Sequence, residues 1–207
     1  MAPIYLDYNA TTPVAPQVAD AMLPFLREHF GNPSSSHVYG QRTRAAVAQA
    51  RAEVAALIGA TPDEIVFTSC ATEANNLAVL GVARAMRGRG RHLVTSAIEH
   101  PAVARPLAQL ADDGWDVTVL DVDAHGRVSP ADLAAALRDD TVLVSIMHAN
   151  NEVGTLQPIA ELAAIVHARG ALFHTDAAQS VGKVPVDVTA LGVDLLTLAG
   201  HKFYAPK

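Results

Sequence analysis

The chain has 207 residues, half of them apolar, with a net charge of −6 and a single cysteine. An acidic balance without a basic stripe excludes a nucleic-acid surface, and one cysteine excludes an internal disulfide framework. No apolar run approaches the roughly 20 residues that span a bilayer, and the opening MAPIYLDYNATTP shows neither a charged leader nor an apolar signal core. The expectation is a cytoplasmic protein with neither nucleic acid nor membrane as partner, its core built mainly from small aliphatic side chains.

Helical patterns cover residues 16–29 and 37–58, the second long and alanine-rich, joined by the irregular turn FGNPSSSH. Ser36 is placed to cap the second. After residue 60, strand-like and helix-like segments alternate. Strands are expected at 65–68, 92–96, 116–120, 141–147, 171–175 and 193–198, and helices at 72–86, 101–112, 131–138 and 159–168. Most of the strands are short, continuous runs of Val, Ile and Leu, as in strands buried on both faces. The alternation predicts an α/β fold, with a mainly parallel sheet and right-handed crossovers. No internal repeat or low-complexity linker divides the chain. It is expected to consist of an N-terminal arm with helices over 1–60 and one α/β domain over 61–207. The basic stretch RAMRGRGR reads as a solvated helix C-terminus rather than a phosphate patch.

Ligands of open parallel sheets bind beyond the carboxyl ends of the strands, so the residues following each strand are the candidates. They are Ala71 and Thr72 in SCATEANN, His100 in AIEHP, Asn150 and Asn151 in HANNEVG, Asp176 and Gln179 in DAAQS, and His201 and Lys202 in AGHK. Each has a plainer reading: Thr72 or Asp176 as a helix cap, His100 as a structural histidine, Lys202 as a solvated lysine. Their concentration at five strand ends favours a ligand. Free N–H groups at Ala71 and Thr72, where a helix begins, suit a phosphate. A lysine amine and a carboxylate at neighbouring strand ends suit pyridoxal phosphate, which needs an amine to hold its aldehyde and an anion to hold its ring nitrogen protonated. Burial beside an apolar run is expected to favour the neutral amine of Lys202. The nine histidines show neither HxxxH nor paired-cysteine spacing, so no metal site is expected. Gly182–Lys183 lacks the upstream glycine of a P-loop and reads as a turn, and there is no GxSxG elbow.

With these segments in order, the chain resembles the cysteine desulfurases, pyridoxal-phosphate enzymes of the aspartate-aminotransferase fold type. The match runs through YLDYNATTP, FGNPSSSH, FTSCATEANN, AIEHPAV, MHANNEVGTLQPI, FHTDAAQSVGKVPVDV and GHKFYAPK. The resemblance implies a three-layer α/β/α large domain over 61–207. It implies Lys202 as the Schiff-base lysine, Asp176 as the pyridinium partner and Gln179 on the phenolic oxygen. It also implies His100 stacked on the ring and active in acid/base steps, Ala71, Thr72 and His201 on the phosphate, and Asn151 near both cofactor and substrate carboxylate. The implied reaction takes L-cysteine to L-alanine, passing sulfur as a persulfide to an acceptor or iron–sulfur scaffold protein, in a homodimer. Selenocysteine lyase and a non-catalytic dimerisation or scaffold module are the alternative readings. Three residues depart from the pattern. Ala199 stands in place of a phosphate-binding serine, and Cys70 and Ala205 each stand in place of a glycine. In the family the sulfur-accepting cysteine, the carboxylate-binding arginine and the small C-terminal domain follow the position of Lys207. The expectation is therefore an N-terminal piece, incomplete at its C-terminus, that lacks the means to form a persulfide.

Overall fold

The structure, a computed structural model, describes residues 3–207. They form two compact units. One comprises the residues up to Phe67 together with Gly200–Lys207, the other Thr68–Ala199.

In the first unit, α1 (Pro16–Arg27) begins with proline at its first position, where a missing N–H costs nothing. The long helix α2 (Val38–Ile58) ends at Gly59, whose φ of 70° closes the helix in the left-handed conformation that glycine adopts without a Cβ penalty. The N-cap of α2 is His37, whose Nδ1 accepts from the Gly40 N–H, and not the expected Ser36. The segment 65–68 forms no strand. Its Ile65 carbonyl accepts from the Arg51 guanidinium, which also lies 4.9 Å from the Phe67 ring centroid. No strand partner lies beside it among the described residues, and an apolar run without a ladder neighbour stays irregular.

The second unit holds a five-stranded, wholly parallel sheet with β1 (His92–Ser96), β2 (Asp116–Leu120), β3 (Thr141–Ser145), β4 (Leu172–Asp176) and β5 (Leu195–Thr197) in the order β2-β1-β3-β4-β5. Every residue of β1 and β3 is buried, whereas Val119 of the edge strand β2 is exposed. Helices α3 (Ala71–Met86) and α4 (Pro101–Asp112) cover one face, packing Val79, Val82, Val103 and Leu107 against Leu93 and Leu143. Helices α5 (Pro130–Ala136) and α6 (Ile159–His167) cover the other, packing Leu133, Ile159, Leu162 and Val166 against Val94, Val144, Ile146 and Phe173. A short α7 (Val188–Leu191) leads into β5. Two apolar layers flank the sheet, giving the expected three-layer α/β/α arrangement. Chain order reverses direction between β1 and β3, so the switch point that forms a ligand crevice in such sheets lies at their carboxyl ends.

At the opposite end of the same two strands the backbone is tightly packed. A Cβ on Gly90 would lie 2.1 Å from the Asp140 carbonyl oxygen. Gly90→Ala should force apart the connections into β1 and β3 and destabilise the chain by about 1–3 kcal/mol, read as a lowered urea midpoint. An unchanged midpoint would refute this close approach.

Candidate active site

The switch point carries an acid that sequence reasoning passed over. Glu99 follows β1, and its Oε1 accepts from Ser96 Oγ at 2.5 Å and from the Met147 N–H at 2.9 Å, joining the carboxyl ends of β1 and β3. Its Oε2 is buried without a hydrogen-bond partner. Burial pushes this carboxyl up to about 8, against the lowering effect of the two hydrogen bonds and with an added push from the negative charge of Asp176. The next residue, His100, is exposed and caps α4, its Nδ1 accepting from the Ala102 N–H at 3.1 Å. With Nδ1 engaged as acceptor, a neutral ring carries its proton on Nε2, the nitrogen left to exchange it.

His100 and Thr72 line one groove between α3 and α4, with Asn76, Arg105 and Gln109 beside them. Helix α3 starts at Ala71, and its N-cap Cys70 makes no side-chain cap hydrogen bond. The first-turn N–H groups of this 16-residue helix lie at the positive end of its dipole, an arrangement that suits a phosphate, and those of Glu73 and Thr72 also reach the Cys70 sulfur. The exposed Cys70 thiol is held below the ordinary cysteine range, chiefly by the Glu73 N–H and then by Ser69. Ala71 is half-buried and Thr72 exposed.

Asp176 closes β4 and is only 5% exposed. Its Oδ1 accepts from the Ala178 N–H at 2.9 Å, and its Oδ2 from Asn75 Nδ2 at 2.8 Å. Asn75 Oδ1 in turn accepts from Thr197 Oγ1 at 2.6 Å. Two residues before Asp176, His174 is fully buried, with Nδ1 sharing a hydrogen bond with Ser145 Oγ and Nε2 unpartnered. Burial pushes its pKa well below the ordinary histidine value, the Asp176 carboxylate pulling the other way. Gln179 is half-buried, its Oε1 accepting from Lys183 Nζ at 2.8 Å, and Gly182–Lys183 lies in a turn as expected. Asn151 donates to Glu152 Oε1 at 2.7 Å. Its neighbour Asn150 is buried and holds the loop, Oδ1 accepting from the N–H groups of Glu152 and Val153. Among the described residues no group of three or more potential ligands is placed for a metal ion, and no helix is long and apolar enough to cross a membrane.

His201 and Lys202 belong to the first unit, in a 3-10 turn over Gly200–Lys202, and both are half-buried. Lys202 Nζ donates to the Asn9 carbonyl at 2.5 Å. Thr12 binds this turn to the N-terminal arm. Its N–H and Oγ1 both donate to the His201 carbonyl at 2.9 Å, and Oγ1 accepts from the Tyr204 N–H at 2.8 Å. Burial, then the positive charges of Lys202 and Lys207, hold His201 below its usual value. His201 Nδ1 also pairs with Thr11 Oγ1 at 3.1 Å.

Sequence reasoning missed Asn75, Glu99, His174, Thr197 and Thr12. One signal was available. Residues 75, 78, 79, 82 and 83 form the buried stripe of α3, so Asn75 is a polar residue where the period calls for an apolar one.

The profile of the aminotransferase class-V family matches residues 4–207. The chain belongs to that family. Among curated class-V relatives, it is 54% identical to "Cysteine desulfurase IscS" of Dictyoglomus turgidum, aligning over 99% of this chain and 52% of the relative. It is 55% identical to the protein of the same name from an Anaeromyxobacter strain, over 99% of this chain and 51% of the relative. The chain thus spans about half the length of the curated relatives it matches. Of solved structures, "SspA in complex with cysteine" superposes with a TM-score of 0.96 at 43% identity, covering 99% of this chain and 59% of that one. "NIFS-LIKE PROTEIN" superposes with a TM-score of 0.97 at 41% identity, covering 100% and 57%. Class-V aminotransferases and cysteine desulfurases depend on pyridoxal phosphate as families, and the fold expected from the resemblance is the fold these neighbours have.

Two outcomes follow from this geometry. Glu99 retains in the folded chain a proton that the unfolded chain releases above about 4.5. Its stabilising contribution is therefore full below that pH and is lost as pH rises through about 8. Wild-type stability should fall by up to about 1.4 kcal/mol per pH unit across that window, and Glu99→Gln should lose this slope. Parallel melting curves for the two proteins would contradict the assignment. Separately, Thr12→Val strips one donor and one acceptor from the lysine turn and should cost about 1–3 kcal/mol in urea unfolding.

Proposed function

We propose that this chain forms the pyridoxal-phosphate-binding part of a cysteine desulfurase acting on L-cysteine. The observation that carries the proposal is the buried Asp176 carboxylate, set at a strand end with two donors already fixed on it. An anion held rigidly at a sheet rim suits a cationic ring nitrogen, and the uncapped start of α3 suits a phosphate. The identity of 54–55% to relatives named cysteine desulfurase, over nearly the whole chain, supports the same reading.

In this reading Asp176 holds the ring nitrogen, Gln179 the ring oxygen, and the N–H groups of Ala71 and Thr72 the phosphate. His100 covers the ring and moves a proton through Nε2. Asn151 holds the substrate carboxylate. The family resemblance adds Lys202 as the amine that anchors the cofactor and His201 as a further phosphate contact. When bound, pyridoxal phosphate would supply an electron sink that lets a substrate Cα proton leave and weakens the adjoining C–S bond. Sulfur would then pass to an acceptor or iron–sulfur scaffold protein, and the working form would be a homodimer. The division into an arm over 1–60 and a cofactor-binding domain over 61–207 belongs to the same proposal.

Adding pyridoxal phosphate to the purified chain, trapping with borohydride and mapping peptides should place one pyridoxyl group on Lys202. Lys202→Ala should remain unlabelled. Labelling spread over surface lysines, together with an unchanged melting temperature on adding the cofactor, would favour the scaffold reading instead.

A further inference from the structure

Three polar side chains from three elements form one buried, directional chain of hydrogen bonds that ends on the Asp176 carboxylate. Thr197 of β5 sits opposite Asp176 of β4 in the sheet register. Asn75 reaches both from α3 and is 0% exposed, while Thr197 and Asp176 are each 5% exposed. The directions of donation are forced. A carboxylate only accepts, so the NH2 end of Asn75 must face Asp176, which turns Oδ1 toward Thr197. The one hydroxyl proton of Thr197 is the donor that Oδ1 then needs. If the Thr197 hydroxyl were removed, Asn75 Oδ1 would be left buried without its donor, and the amide would be held in place from the carboxylate side alone. A neutral chain that terminates in N–H donation also answers the buried charge without adding a competing one, as a lysine or arginine would. No family role carried onto the rim residues accounts for Asn75 or Thr197.

We infer that Asn75 and Thr197 are positioning residues that fix the Asp176 carboxylate in one orientation, and so set how strongly this site prefers a pyridoxal ring bearing a protonated nitrogen over the same ring without that nitrogen. This rests on the proposed function, in which Asp176 faces the ring nitrogen.

The test compares binding of pyridoxal phosphate and of its 1-deaza analogue, in which CH replaces the ring nitrogen. The proteins are the wild-type chain, Thr197→Val, Thr197→Ser, Asn75→Ala and Asp176→Asn. Thr197→Val keeps the side-chain shape and removes the donor, and it should weaken pyridoxal phosphate about tenfold or more while leaving the deaza analogue nearly unchanged. Asn75→Ala should behave alike, and Thr197→Ser should restore the preference. Hydrogen exchange of the Asn75 side-chain amide, read by NMR without cofactor, should be slow in wild type and fast in Thr197→Val.

Equal weakening of both ligands in Thr197→Val and Asn75→Ala would mark a merely structural role and overturn the inference. So would an undiminished preference, or an Asn75 amide still protected in Thr197→Val. If Asp176→Asn loses the preference while Thr197→Val keeps it, the inference fails and the cofactor reading stands. If the wild type binds neither ligand, or if Asp176→Asn keeps the preference, the cofactor reading fails and takes the inference with it.

Discussion

Burial of the Asp176 carboxylate is the constraint on which the second unit turns. A charge this far from water is tolerable only when hydrogen bonds replace its hydration, and the donors come from two places. The backbone of Ala178 gives one, and Asn75 gives another after being turned by Thr197. The Asn75 donor is in place only if α3 lies across β4 and β5 at the correct height, and the layer of Val79, Val82 and Leu93 beneath it holds that height. The apolar packing and the polar network are thus one structural solution: the first positions the second, and the second makes a carboxylate affordable at the rim.

Burial drives two titratable groups near Asp176 toward their neutral forms. Glu99, pushed up to about 8, and His174, pushed down by burial, each bring a buried unpartnered atom close to the carboxyl ends of the strands. Their environments drive carboxyl and imidazole in opposite senses, each toward its uncharged form. Glu99 also performs a mechanical task. By receiving Ser96 and Met147 together, it closes the switch point between β1 and β3 just before the chain turns into the cap formed by His100.

The first unit solves a different problem, that of holding a short, irregular turn. Residues Gly200–Lys202 make a single 3-10 turn, and Tyr204 after it has a φ of 71°, which a side chain rarely adopts. Thr12 compensates by meeting the turn on both sides, and the Asn9 carbonyl takes the Lys202 amine. The threonines of NATTP thus have a structural reason to stand where they do, which their spacing alone leaves open.

Local sequence determined the α/β class and five of the six expected strands, and it placed His100, Asn150, Asn151, Asp176 and Gln179 at or beyond the ends of three of them, whereas Ala71 and Thr72 follow a segment that forms no strand. Continuous Val, Ile and Leu runs between helical periods leave few other folds, and strand ends of a parallel sheet must gather at one edge. The sixth strand, 65–68, fails because strand formation needs a ladder neighbour, which local pattern cannot supply. Only the tertiary structure decided Glu99, His174, Asn75, Thr197 and Thr12. Each acts through a partner distant in sequence, Thr197 lying 122 positions from Asn75, and in the one-dimensional pattern all but Asn75, which breaks the apolar period of α3, read as ordinary polar residues. Sequence periodicity reports which face of an element is buried. Which polar groups meet inside that face depends on how the elements are stacked, and the stacking appears only once the chain has folded.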